Sequence, residues 1–184
     1  MASNNVNLGI GNATGYFYHA AKDTALPASP LTTLAEAWTE VGYISEDGIT
    51  WSTGRSSEPL KDWANKIRRQ LQNESTGTVQ APIISTTAEV LKTIFGASNV
   101  TASAASTTHG ALTSVAVGEG VVSGEEAFLF IMKDGDDALM LGTTCGYITA
   151  LDDITFAPGS PITWNATVSA DTWTFMKDDG QVTT

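Results

Sequence analysis

The sequence predicts a mainly β protein, a sandwich or barrel of two antiparallel sheets with one flanking α-helix. Short stretches of alternating apolar and polar residues, rich in Thr, Ser and Val, recur between turn signals, which is typical of antiparallel strands. Three Asp-Gly pairs are present, and two of them, at 47–48 and 134–135, mark such turns. With 184 residues, the chain is long enough for one domain with its own core. We therefore expect a single domain over residues 1–184.

Eight strands are predicted from these stretches. Asp47-Gly48 predicts a type I′ hairpin turn between the second and the third strand, because an Asp-Gly pair tolerates the positive φ that this turn requires. Asp134-Gly135 lies likewise between two apolar runs, which we expect to form buried strands. The predicted strands span residues 15–19, 38–44, 49–54, 112–117, 127–133, 139–149, 162–169 and 173–176.

One helix is predicted over about residues 86–95. Thr86 and Glu89 have the spacing of a capping box, in which each side chain bonds a free backbone N–H. Gly96 follows at a position where a left-handed residue ends many helices. The apolar face, which we expect to pack on the flank of the sheets, consists of Val90, Leu91, Ile94 and Phe95.

Two segments have less regular patterns. After Pro59, apolar residues recur at helical spacing as far as Leu71, so periodicity alone favours a helix over 59–71. Residues 70–80 carry polar side chains at every second position, as a strand with one water-facing side does. Residues 1–30 combine a polar, glycine-bearing start with a proline-bounded connection, which predicts an N-terminal arm ordered mainly by partners.

Charge is distributed unevenly along the chain. Nine Lys and Arg stand against twenty Asp and Glu, which gives a net charge of −11 and argues against a surface that binds nucleic-acid phosphates. One basic segment holds five of the nine basic residues: Arg55, Lys61, Lys66, Arg68 and Arg69. This basic segment and the acidic remainder of the chain could pair between copies, or they could form two separately solvated faces.

The sequence has no constellation typical of an enzyme. His19 and His109 lie far apart, and neither they nor Cys145 show metal-ligand spacing. The acids at 134–137 are more typical of a turn than of a calcium loop, which spaces its ligands and closes with Glu. Glycine-rich phosphate loops and nucleophile elbows are missing from the sequence. We expect no catalytic residue, no cofactor and no metal.

The cysteine count and hydropathy bear on the compartment. Cys145 is the single cysteine, so an internal disulfide is excluded. No signal-peptide pattern opens the sequence, and no apolar run approaches the roughly 20 residues of a membrane span. We expect a soluble chain without membrane contact, made in a reducing cytoplasm.

Five tryptophans leave a second function open. They would form a carbohydrate platform if they were coplanar and exposed, whereas packing in a core or at a subunit interface is their other common use. A carbohydrate-binding β-sandwich module is therefore the alternative from another functional class. The residues concerned are Trp38, Trp51, Trp63, Trp164 and Trp173.

Residues 39–50 read Thr-Glu-Val-Gly-Tyr-Ile-Ser-Glu-Asp-Gly-Ile-Thr. This stretch resembles the "Val/Leu-Gly-Tyr-Val-Ser-Glu-Asp-Gly-Val" segment of siphophage major tail proteins, or tail tube proteins, notably those of phages of actinobacteria. Two departures from the family pattern are Ala64-Asn65, where relatives often carry Gly-Gly, and Ala81-Pro82, within a strand that is usually unbroken. Further blocks similar to the family, in the family's order, are residues 14–18, 24–27, 58–63 and 89–96.

The resemblance implies the phage tail tube fold. In that family, subunits close into hexameric rings with strands joined across subunits, and the rings stack into a tube for ejection of viral double-stranded DNA into the host. It implies other copies of the chain, a tape measure protein and a tail terminator as partners, with only transient and non-specific passage of DNA. The implied location is the virion tail, after synthesis in the bacterial host cytoplasm. A tail terminator or a secretion-system tube ring protein is the alternative on the same fold.

The resemblance also implies a long hairpin over residues 49–84, with 58–65 at its tip. This favours loop and strand over helix for 59–71. The residues implied to face the lumen are Gln70, Gln72, Glu74, Thr76 and Thr78. Those implied to lie at interfaces between subunits or rings are Arg55, Lys61, Trp63, Arg68 and Arg69.

Overall fold

The computed structural model of the protein describes residues 17–118, 123–134 and 136–180. Within them, antiparallel strands and one α-helix confirm the predicted fold class. A short 3-10 turn, Ala97–Asn99, follows the helix. The elements are β1 (Phe17–Ala21), β2 (Thr39–Gly42), β3 (Thr50–Ser52), β4 (Arg55–Lys61), β5 (Ile67–Ser75), β6 (Gly77–Ile83), α1 (Ala88–Phe95), β7 (Val100–Ser103), β8 (Leu112–Val115), β9 (Glu126–Asp134), β10 (Asp137–Leu151), β11 (Trp164–Ala170) and β12 (Thr174–Asp178).

Two sheets form the sandwich, and β10 belongs to both. The first sheet has the order β2-β1-β9-β10-β12, and the second has the order β10-β11-β6-β3. The first part of β10 pairs with β9 and β12, and its last residues, from Tyr147 to Leu151, pair with β11. A register shift between Thr143 and Gly146 separates the two parts. Such bulges bend a strand, which lets one strand serve both layers.

The main core lies between the two sheets. Phe17 stacks on Phe130 with ring centroids 4.6 Å apart and on Phe128 at 5.9 Å. From the second sheet, Val79 and Val168 point into the same cluster and are fully buried. The apolar run expected to form a buried strand is therefore confirmed in β9, which supplies two of these three rings.

A smaller core lies on the opposite face of the first sheet. Trp38, Leu129 and Met140 are buried there, with Leu26 and Leu34 packed against them. The chain between β1 and β2 thus covers this face of the sheet. Within residues 1–30, expected to form an arm, Phe17–Ala21 forms an inner strand between β2 and β9, which overlaps the predicted strand 15–19. Residues 1–16, the first part of the expected arm, lie outside the described residues.

Helix α1 lies where it was predicted, but its cap differs by one residue. Thr87 is the N-cap, and its hydroxyl accepts a hydrogen bond from Val90 N at 3.3 Å. The predicted capping box of Thr86 and Glu89 is wrong. The Thr86 hydroxyl accepts a bond from Trp164 Nε1 at 3.0 Å, and Glu89 pairs with Lys92 at 2.7 Å. The tertiary contact with Trp164 takes the hydroxyl that the local motif would have used.

The Asp47-Gly48 turn is real, but the hairpin predicted for it is wrong. Gly48 N donates to the Ser45 carbonyl at 3.0 Å, and Gly48 itself has φ +70°. The two central residues of this turn lack the positive φ of type I′. The turn joins strands of different sheets, because β2 pairs with β1 while β3 pairs with β6. The Asp134–Asp137 turn does join paired strands, β9 and β10.

Residues 59–71 form strand, turn and strand, so the helix favoured by periodicity is excluded. Strands β4 and β5 pair with each other from Arg55↔Ser75 to Lys61↔Ile67. The tip is therefore residues 62–66, shorter than the 58–65 expected. The remaining predicted strands all overlap observed ones, while β7, which pairs with β8, was missed by sequence reasoning.

The stacked rings of the main core give a stability prediction. Phe130→Ala should lower the free energy of unfolding by about 3–5 kcal/mol, because Phe130 is 1% exposed and its removal leaves a cavity. Chemical denaturation followed by circular dichroism measures this change. Phe156→Ala is the control, since Phe156 is 73% exposed and should change stability by less than about 0.5 kcal/mol. Equal effects of the two variants would contradict the assigned core.

Candidate interaction surfaces

Strands β4 and β5 form a two-stranded hairpin that pairs only with itself. In the described part of the chain, neither strand is hydrogen-bonded to the sheets of the sandwich. An isolated two-stranded hairpin is marginally stable in water, and its outer edges leave backbone groups without partners. This hairpin therefore lacks, within its own subunit, the neighbours that normally stabilise strands.

The base of the hairpin is tightly joined to the second sheet. Only Thr76 separates β5 from β6. Gly54 lies opposite, so close that a Cβ on it would lie 2.0 Å from the Thr76 carbonyl oxygen. Trp173 Nε1 donates to the Gly77 carbonyl at 3.0 Å. The base of the hairpin is thus held by the backbone contact between Gly54 and Thr76 and by the Trp173 indole. Any residue other than glycine is excluded at position 54.

The tip, residues 62–66, is organised by Asp62, whose backbone bond to Lys66 encloses a three-residue loop. Asp62 N donates to the Lys66 carbonyl at 2.9 Å, and Asn65, in the left-handed region at φ +60°, donates its N–H to the Asp62 carbonyl. The Asp62 carboxylate accepts bonds from Ala64 N and Lys66 N, each at 2.9 Å. Asparagine tolerates this backbone conformation better than most residues, so Asn65 can fill the role of the glycine usual in such loops.

Electrostatics supports the same tip geometry. The pKa of Asp62 is lowered, first by the hydrogen bond from Lys66 N and further by Arg68 and Ala64 N. Arg68 Nε lies 2.6 Å from the Asp62 carboxylate. Arg68, expected to pair with acids of a neighbour, is thus engaged within its own tip. The ionised form of Asp62 is the one that holds the loop.

The hairpin presents apolar and basic side chains to solvent. Trp63 at the apex is fully exposed, and Leu60 and Ile67 are 52% and 58% exposed. Within the described residues, the cations with no ion pair on this hairpin are Lys61, Lys66 and Arg69. Trp and Arg are enriched at protein interfaces, so Trp63 and Arg69 make this hairpin a candidate interaction surface.

Charge separates the hairpin from the remainder of the chain. Residues 55–75 hold five basic and three acidic residues, a net charge of +2. Because the whole chain carries −11, the remainder carries −13. This imbalance gives different copies of the chain oppositely charged surfaces to bring together.

The outer face of the second sheet is polar and uncharged. Thr78 and Gln80 on β6 point away from the core, because Val79 and Ala81 between them are fully buried. Their pairing partners extend the face across the sheet. The sequences of β3, β6, β11 and residues 147–151 contain no charged residue. The paired positions that continue the face on the neighbouring strands are Thr50, Ser52 and Thr167. Ser169, which pairs with Thr78, is buried.

The predicted lumen residues do not occupy one uninterrupted strand. Glu74 pairs with Ser56 and Gln72 with Ser57, across a register shift in the hairpin. Thr76 lies between β5 and β6 and is exposed, as is Gln70. The side chains of Gln72, Glu74 and Arg55 lie outside the described residues. Only Thr78 of the predicted set lies in the second sheet itself.

The second-sheet positions on β3 and β11 were missed by sequence reasoning. The alternation of Asn165, Ala166, Thr167 and Val168 did identify a strand. It could not reveal that the polar half of this strand continues the face of Thr78, because strand order is not readable from one strand.

The tryptophans do not form a common platform. Trp38 and Trp164 are buried in the two cores. Trp51 is partly exposed and stacks on Phe175, with ring centroids 6.3 Å apart. These positions give no support to a carbohydrate-binding surface.

Two remaining observations concern metals and membranes. Throughout residues 17–118, 123–134 and 136–180, no group of three or more His, Cys, Asp or Glu is arranged to hold a metal ion. Over the same ranges, no helix combines the length and the apolar character that crossing a membrane requires.

Comparison with known proteins adds a family. A family model described as phage tail tube protein matches residues 1–180. No curated protein matches the chain. The family match covers all the strands of both sheets, the helix and the hairpin.

The Asp62 contacts give a pH prediction. Because the pKa of Asp62 is lowered in the folded tip, its contribution is fully present above the pKa of an unfolded Asp and is lost as pH falls through the lowered pKa. We expect the amide resonances of Ala64 and Lys66 to shift in that acidic window, followed by NMR titration. Asp62→Ala should move both resonances at neutral pH and speed their exchange several-fold.

Asp153→Ala is the matched control, since Asp153 lies on an exposed loop away from the tip. It should leave both amide resonances unchanged. Unaltered Ala64 and Lys66 signals in Asp62→Ala would show that the carboxylate does not organise the loop.

Proposed function

This chain belongs to the phage tail tube protein family, and we propose that six copies of it close into a ring whose stacking forms the DNA channel of a bacteriophage tail. The chain is then a structural component of the virion tail. Its action is to assemble and to enclose a bore, and it requires no reacting group.

The hairpin of β4 and β5 is the observation that carries this proposal. It pairs only with itself in the described chain, and its apex exposes Trp63 completely. A head-to-tail interface whose rotation closes into a ring can supply the missing neighbours. Strand edges that are a liability in a monomer then become the contacts between subunits.

The outer face of the second sheet supports a channel wall. Thr78, Gln80 and Thr167 offer hydroxyl and amide groups without charge. Asp152, which accepts a hydrogen bond from Gln80 at 3.0 Å, borders this face with negative charge. Cations would hold passing phosphates by counterion release, and this face has none, so DNA could slide without being retained. We propose that this face continues the lumen-facing set of Gln70, Gln72, Glu74, Thr76 and Thr78.

The basic residues of the hairpin support contacts between subunits or rings. Lys61 and Arg69 are exposed and make no ion pair with described residues, and the rest of the chain carries the opposite charge. We propose that they meet acids of a neighbouring copy, together with Arg55 and Trp63. Arg68 contributes indirectly, since it holds Asp62 and hence the tip.

Further partners follow from the proposed role. A tube of defined length needs one protein that sets its length and another that ends its growth. We therefore propose a tape measure protein and a tail terminator as partners. Synthesis in the host cytoplasm, before assembly into the virion, belongs to the same proposal.

Assembly of the purified chain tests the proposal. At high concentration, the chain should form rings or tubes with a central bore, seen by negative-stain microscopy. Replacing residues 55–75 by Asn-Gly, which closes a two-residue hairpin, should abolish assembly because the contacts between copies are removed. The shortened chain should sediment as a monomer.

A matched control shortens another exposed loop. Residues 104–111 connect β7 and β8, and their replacement by Asn-Gly should leave tube formation intact. Thermal unfolding checks that both shortened chains are folded. A wild-type chain that stays monomeric at every concentration would refute the proposed function.

The uncharged face gives a second functional prediction. In phage that carry Thr78→Lys, DNA ejection should slow several-fold at low salt and recover as salt rises, because the added cations contact phosphates. Ejection is followed by the fluorescence of a DNA-binding dye. Tube assembly should persist.

Thr32→Lys, at an exposed position outside this face, is the control and should eject at the wild-type rate. Thr78→Gln, which adds bulk without charge, separates the electrostatic effect from the steric one. If Lys and Gln at position 78 slow ejection equally, Thr78 does not contribute electrostatically to a DNA channel.

A further inference from the structure

We propose that the distal end of the hairpin, residues 60–69 with the tip at its apex, is a wedge that contacts two neighbouring copies of this chain at once, one on each of its faces. This proposal rests on the proposed function and goes beyond it, because it specifies how many copies one tip touches and with which residues.

Both faces of this distal end carry an exposed aliphatic side chain. Leu60 and Lys61 are consecutive in β4, so they point to opposite faces. Leu60 pairs with Arg69, and Lys61 pairs with Ile67, so each pair shares a face. A register shift between these two pairs leaves Arg68 as an extra residue of β5, and such a bulge interrupts the alternation of β5. Leu60 and Ile67, each more than half exposed, are therefore on opposite faces, although Ile67 and Arg69 are only two residues apart. A hairpin that lay on a single surface would need only one of them.

The two faces also match in charge. One face has Leu60 beside Arg69, and the other has Ile67 beside Lys61. Each face thus offers one aliphatic group and one cation that is free of ion pairs within the described residues. Equal chemistry on both sides fits two neighbours of the same kind, which are copies of one protein.

Charge identifies those neighbours as this chain itself. The hairpin carries +2 and the remainder of each copy carries −13. Complementary charge steers association and fixes its register. Trp63, fully exposed at the apex between the two faces, has the size and amphipathic character of residues that dominate binding energy at interfaces.

The tip is already ordered before it binds. Asp62 accepts bonds from two backbone N–H groups and from Arg68. A segment that is fixed in its bound shape loses less conformational entropy on association. Asp62 and Arg68 are therefore positioning residues, and the binding groups are those on the two faces and at the apex.

Paired substitutions test the wedge. Leu60→Ser and Ile67→Ser should each raise the critical concentration for tube formation about tenfold, which corresponds to about 1.4 kcal/mol. The double variant should raise it about a hundredfold, since contacts with separate copies add independently. Leu112→Ser is the matched control, because Leu112 is 56% exposed on β8 and should leave the critical concentration unchanged.

Photo-crosslinking in the assembled tube gives a second readout. A crosslinker at position 60 and one at position 67 should join different segments of neighbouring copies, identified by mass spectrometry. Crosslinks from both positions to the same segment, or an effect of only one substitution, would overturn the wedge while leaving the tube function standing. Crosslinks to another protein in intact virions would overturn the choice of partner. Failure of the wild-type chain to form tubes would instead overturn the proposed function.

Discussion

The positions of the polar face and of the hairpin, the two surfaces on which the proposed assembly rests, depend on strand β6. Seven consecutive pairings fix it against β11, and β3 holds its other side. Because only one residue lies between β6 and β5, this register also fixes where the hairpin leaves the sandwich. The same register aligns Thr78 and Gln80 with polar residues of both neighbours. Hydrogen bonding along one strand thus determines both the polar face and the origin of the hairpin.

Much of the fold was predictable because buried apolar residues recur in the sequence at the period of the strand or helix that contains them. The continuous apolar run in β9 and the amphipathic pattern of α1 each report contacts made inside the subunit. Errors arose where a local motif competed with tertiary structure, as when Trp164 took the hydroxyl of Thr86. The Asp47-Gly48 pair marked a turn correctly, yet a turn does not reveal which strands pair on either side of it. Phe17 was placed in the predicted strand 15–19, yet within an arm, because the arm was inferred from the polar start of the chain and from the proline-bounded connection near residue 30.

The helix predicted from periodicity in the hairpin was wrong for a different physical reason. Leu60, Trp63 and Ile67 have helical spacing, but none is buried within the chain. Hydrophobic periodicity presumes that apolar residues face the subunit's own core, and these residues face outward. Register shifts in β4 and β5 also break the two-residue alternation on which the lumen-facing set was based. The basic segment was visible in the sequence, whereas the engagement of Arg68 by Asp62 depended on a tip geometry that spacing could not supply.

Gly54 has a mechanical consequence. Its Cα faces the Thr76 carbonyl with no room for a side chain between them, so two backbones meet there directly. No side chain at this contact can rotate to accommodate a change in the angle between the hairpin and the sandwich. Such a change must therefore move β3 and β6 together. In the proposed tube, bending would therefore strain the sandwiches as well as the hairpins. The stiffness of the proposed tube would then depend on Gly54, a residue that has no side chain.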